Sequence, residues 1–131
     1  MQIKLFAILA ATVASYVLGS LWYLILGKSW RAAVGWTETN PSYRPTGLEL
    51  VIALLGQLVL ALALSGLIAH MSTASVKIGM ITAMAVAFGF ILPTLATNVI
   101  FQRRSRSLIW QDGRHWLIVL FTQGIVIGAL N

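Results

Sequence analysis

The chain has no cysteine, three acidic residues and two histidines among its 131 residues. Without cysteine it can form no disulfide, thiolate nucleophile, iron–sulfur ligation or Cys-based zinc site. Charge is scarce as well. Charged residues make up 9%, against roughly 25% in ordinary globular proteins. Twelve formal charges (Lys+Arg 9, Asp+Glu 3) are too few to wet the surface of a soluble domain of this length. A hydrophobic content of 59% is too high for a disordered chain. The length allows one domain, residues 1–131, and the composition is that of an integral membrane protein.

The net charge of +6 suggests nucleic acid until the positions are read. Lys4, Lys28, Arg31, Arg44, Lys77, Arg103, Arg104, Arg106 and Arg114 all flank or connect apolar runs. That is where cations meet lipid head groups, so no nucleic-acid partner is expected.

A helix needs roughly 20 apolar residues to cross about 30 Å of hydrocarbon. The runs Leu5–Leu26, Leu50–Ala69, Ile78–Gln102 and Trp116–Leu130 predict four spans over approximately 4–26, 47–70, 77–101 and 114–131. The first run is too long for the core of a signal peptide and is expected to be retained. Seven of the nine cations fall in the connections after spans one and three. The positive-inside rule then puts both long connections in the cytoplasm and both termini outside. A bacterial cytoplasmic (inner) membrane is the expected location. Trp22, Tyr23, Trp30, Trp36, Trp110 and Trp116 cluster toward that basic side as interfacial anchors. Arg103, Arg104 and Arg106 are placed to attract anionic lipid.

Local signals refine this all-α bundle. Trp30, Ala33 and Val34 share a face in Ser29–Trp36, which predicts a short interfacial helix in the first connection. Asn40-Pro41-Ser42 and Pro45 turn the chain back. Thr46-Gly47-Leu48-Glu49 has the spacing of a capping box at the start of span two. Asp112-Gly113 reads as a turn, with Asp112 capping span four. Pro93 predicts a kink in span three.

Lipid tails are as apolar as leucine, so close backbone approach has to hold the spans together. Ala7, Ala11, Ser15 and Gly19 form one small-residue stripe; Gly79, Ala83 and Ala87 form a second, and Gly124 and Gly128 a third. Such stripes pack helices either within one subunit or between subunits. Beyond Pro93, Thr94, Thr97 and Asn98 share a face, and Gln57 and Gln123 lie at a similar depth. Together they define an expected intramembrane polar layer. It reads either as interhelical hydrogen bonding or as a polar pocket facing the cytoplasm.

Enzymatic chemistry finds little support. Glu49 is explained by capping. His70 and His115 fall at opposite membrane faces, roughly 30 Å apart. No metal-ligand spacing, Gly-rich phosphate loop or nucleophile–His–acid set is present. No enzyme, metal or cofactor is expected.

Leu18-Gly19-Ser20-Leu21-Trp22-Tyr23 followed by Gly27-Lys28-Ser29-Trp30, and later Asn98-Val99-Ile100-Phe101 with Asp112-Gly113 and Trp116, resemble the two signatures of a bacterial family, domain of unknown function 1761. The resemblance runs the whole chain and implies a small four-helix membrane protein, with no activity to carry over. Members often have Ser-Pro after the Trp-Tyr pair, where this chain has Leu24-Ile25.

Two functions compete. The first is an interaction or accessory subunit of a larger membrane assembly, packing through small-residue faces and binding membrane lipids, with other subunits or its own copies as partners. The second is a homo-oligomeric small-solute transporter or channel built on the layer of Gln57, Asn98 and Gln123. Proton-coupled export is disfavoured, because all three acids lie at or beyond the expected membrane edge.

Overall fold

The computed structural model describes residues 4–35, 45–71 and 73–131, and all its regular structure is helical. The elements are α1 (Leu5–Ala33), α2 (Gly47–Ala69), α3 (Val76–Val86), a π-helical turn (Ala87–Ile91), α4 (Leu92–Phe101) and α5 (Ser107–Leu130). With α3, the π turn and α4 counted as one rod, four helices are long and apolar enough to cross a membrane. The chain is a multi-pass membrane protein.

α1 runs through Leu24-Ile25 without a break, since neither residue carries the lost donor and ring clash of a proline. Its 29 residues reach about 44 Å, well beyond the hydrocarbon. Ser29–Ala33 is therefore helical as the end of span one and not as a separate element. Trp36 and the Asn40–Ser42 turn lie outside the described residues. Gly35, at φ 83°, closes the helix with its N–H on the Ala32 carbonyl at 3.2 Å. A positive φ at this position suits glycine.

α2 starts at the capping box, where Thr46 Oγ1 accepts the Glu49 N–H at 3.2 Å. Ser75 caps α3 in the same way through the Ile78 N–H, also at 3.2 Å. Pro93 is accommodated by the π turn just before it. The wider turn makes room for a ring that would otherwise crowd the Gly89 carbonyl. Thr94 and Thr97 then donate their hydroxyls to the Phe90 carbonyl at 2.6 Å and the Pro93 carbonyl at 2.8 Å.

α4 ends in a Schellman motif. Arg103 N–H bonds the Ile100 carbonyl and Arg104 N–H the Val99 carbonyl, both at 3.1 Å. The next helix corrects the sequence expectation. α5 begins at Ser107, so Asp112-Gly113 is not a turn and Asp112 does not cap; both are buried inside the helix.

α5 is the hub of the bundle. It runs antiparallel to α1 and to α3 and packs on every other element, while the α1 and α3 backbones do not approach each other closely, nor do those of α2 and α4. The α3–α5 crossing is set by glycine. A Cβ on Gly79 would fall on the Gly124 carbonyl oxygen, and one on Gly128 would fall on that of Ser75. Ile8, Ala61, Leu64, Ile68, Leu120 and Ile127 fill the core around these contacts. All nine stripe residues, from Ala7 to Gly128, are buried within one chain, so the stripes hold this bundle itself together. Phe6, Leu24, Ile25, Phe90 and Phe101 point outward, as suits a lipid solvent.

Candidate functional site

Two buried polar clusters stand out, one in the middle of the bundle and one at its basic end. In the middle, Ser15 Oγ donates to Gln57 Oε1 at 2.8 Å, with the Thr12 carbonyl as its alternative acceptor at 3.1 Å. Gln123 Nε2 donates to Ser15 Oγ at 3.1 Å and to the Gln57 carbonyl at 2.9 Å. These bonds join α1, α2 and α5 at one level, and all three side chains are buried. Gln123 Oε1 is left without a partner.

The expected layer is thus assembled differently from its sequence reading. Gln57 and Gln123 do meet, with Ser15 between them. Thr94, Thr97 and Asn98 take no part: they are exposed on α4, and both threonine hydroxyls are used by their own helix. The signal for Ser15 was its place in the small-residue stripe, where a hydroxyl brings a donor at no cost in helix separation.

At the basic end, Asp112 Oδ1 accepts the Tyr23 hydroxyl at 2.8 Å and the Trp30 indole N–H at 3.1 Å. Trp22 donates its indole N–H to the Gln111 carbonyl at 3.3 Å. The Tyr23 ring lies 4.5 Å from that of His115 and 5.2 Å, edge-on, from that of Trp30. His115 also meets Trp116 at 4.8 Å. Gly19 gives the imidazole its space, because a Cβ there would come within 2.8 Å of His115 Nε2. His115 Nδ1 and Gln111 Oε1 are buried without partners.

Three residues expected as interfacial anchors, Trp22, Tyr23 and Trp30, therefore bond α5 from α1, and Trp116 packs beside His115. Trp110 is 71% exposed. Asp112 and His115 were legible only through periodicity. Leu108, Asp112, His115, Val119, Gln123 and Ile127 recur every three or four residues and form the buried face of α5.

Chemically the end cluster is a clamp, a carboxylate oxygen taking two donors from the last turns of α1. Among the described residues no three His, Asp or Glu side chains are grouped to hold a metal ion. Arg103, Arg104 and Arg106 are exposed in the connection beside the cluster.

A search of the curated proteins finds no match to this chain, and neither does a search of the solved structures. Residues 6–128 match the family described as "Protein of unknown function (DUF1761)". That match covers nearly the whole chain, which belongs to the DUF1761 family.

Proposed function

We propose that the protein is a non-enzymatic accessory subunit that receives a transmembrane helix of a partner protein in the membrane. The carrying observation is a half-covered seam on α2. Leu50, Leu54, Gln57, Ala61, Leu64 and Ile68 follow one another at three- and four-residue spacing and share one helical face. The last four are at most 4% exposed, whereas Leu50 is 44% and Leu54 39% exposed. No residue of α2 before Gln57 is buried. The seam that packs the second half of α2 thus continues only partly covered into the first half, where the Tyr16 hydroxyl of α1 reaches the Leu50 carbonyl at 3.1 Å and the α2 and α4 backbones do not approach each other closely.

A partner helix laid into this gap would continue the same packing. Asn98, exposed on α4, would offer it a polar contact, of the kind worth about 0.6 kcal/mol on average. The same face gives the channel reading less support. Gln57 and Gln123 are turned inward and bonded to each other and to Ser15, so a solute path along Asn98 would lack two of its three expected groups.

The proposal includes an orientation: the basic end in the cytoplasm of a bacterium, both termini outside, with Arg103, Arg104 and Arg106 against anionic lipid. Native-condition purification followed by intact-mass measurement tests the assembly. The wild type is expected to carry a second polypeptide, and Leu54→Trp, which fills the gap, to release it without loss of thermal stability. A wild type that runs as a single chain, or as copies of itself alone, would overturn the reading.

A further inference from the structure

On the outer face of the α1–α5 pair, Trp22, Arg114, Leu117 and Ile118 line a shallow, open groove of about 280 Å³. Its residues are graded along the membrane normal. Arg114 follows Trp110 by four residues on α5, and Leu117 and Ile118 follow Arg114 by three and four, so all share a face. Trp110 is nearest the basic end and 71% exposed. Leu117 and Ile118 lie a turn deeper than Arg114. The Trp22 wall is fixed by its indole bond to the Gln111 carbonyl.

The cation at this groove differs from those in the connections. Arg114 is the eighth residue of α5, about 10 Å along the axis from the helix start. Arg103, Arg104 and Arg106 precede the helix and are exposed. Among the described residues nothing bonds or pairs the Arg114 guanidinium. Asp112, two residues away, is turned to α1, where its Oδ1 accepts from Tyr23 and Trp30. An arginine at this depth keeps its stem on apolar surface and seeks an anion near the acyl boundary.

We infer that this groove is a site for one anionic phospholipid of the surrounding bilayer. Its phosphate pairs with Arg114, and one acyl chain lies along Trp22, Leu117 and Ile118. The guanidinium supplies the charge and paired donors that a phosphate oxygen accepts, and the branched side chains supply a dry floor. The inference names a place for the lipid-binding part of the proposed function. It lies on a different face from the α2 seam and stands or falls separately from the partner helix.

Native mass spectrometry of the full chain, titrated with phosphatidylglycerol or phosphatidylcholine, tests it. The wild type should take its first phosphatidylglycerol at about fivefold lower lipid concentration than its first phosphatidylcholine, the factor equivalent to about 1 kcal/mol for one cation near the surface. Arg114→Gln should erase that preference. Replacement of Arg103, Arg104 and Arg106 by Gln should leave the first adduct in place and weaken only later ones. Ile118→Trp, which fills the floor, should reduce the first adduct of both lipids. Arg114 is exposed, so its substitution leaves the packing intact and decides the matter even if the tryptophan variant fails to fold. An unchanged preference in Arg114→Gln would overturn the site. So would loss of the first adduct in the triple variant, or equal binding of the two lipids by the wild type.

Discussion

Single atoms decide several of the contacts in this bundle. Gly79 and Gly124 are in backbone contact, so Gly79→Ala must push α3 from α5 and is expected to cost about 1–3 kcal/mol as overpacking. Gly66 has open space around its missing Cβ, and Gly66→Ala should be neutral or stabilising by about 0.5–1 kcal/mol. Thermal unfolding in mild detergent separates the two; equal melting temperatures would show that the glycine contact carries no strain. Asn98 and Ser15 make a second pair. Ser15→Ala removes the hydroxyl shared by Gln57 and Gln123 and should cost about 0.5–2 kcal/mol, while exposed Asn98→Leu should stay within about 0.5 kcal/mol. A large loss in Asn98→Leu with none in Ser15→Ala would put the polar layer back where the sequence reading had it.

At the scale of the element, α1 depends on Asp112 for its last three turns. Two hydrogen bonds to one carboxylate oxygen tie Tyr23 and Trp30 to α5, and bonds to a charged group contribute about 1.5–3 kcal/mol each. Asp112→Ala should let the end of α1 open locally, so that trypsin cuts faster after Lys28 and Arg31. Asp112→Asn keeps an acceptor oxygen and should fall between the alanine variant and the wild type. Equal cleavage rates in all three proteins would mean that the aromatic packing alone holds the turns. The sequence could not disclose this clamp, for a local reason. Asp-Gly is a turn signal, and a hydropathy run starting at Trp116 hides the polar first turns with which α5 begins at Ser107. Thr46 and Glu49 were legible because a capping box is local. The Pro93 response was half legible: the missing donor is plain in the sequence, but the π turn that absorbs it is a matter of the surrounding packing.

For the whole molecule, four spans and three small-residue stripes follow from composition and spacing. The hub position of α5 does not, because it depends on which buried polar groups meet across helices. The antiparallel order brings Lys28, Arg31, Arg103, Arg104, Arg106 and Arg114 to one end, against Lys4 and Lys77 at the other. A cysteine introduced at Ser105 should resist impermeant thiol reagents in intact cells and react in inverted vesicles; labelling from outside would reverse the proposed orientation. The most direct measurement is photo-cross-linking in native membranes. A benzophenone side chain at position 54, in the partly covered stretch of the α2 seam, is compared with one at position 62, on the lipid side of the same helix. A filled seam gives an adduct to a different polypeptide from position 54 and only lipid adducts from position 62. Lipid adducts alone at both positions, or an adduct to a second copy of this chain, would contradict it.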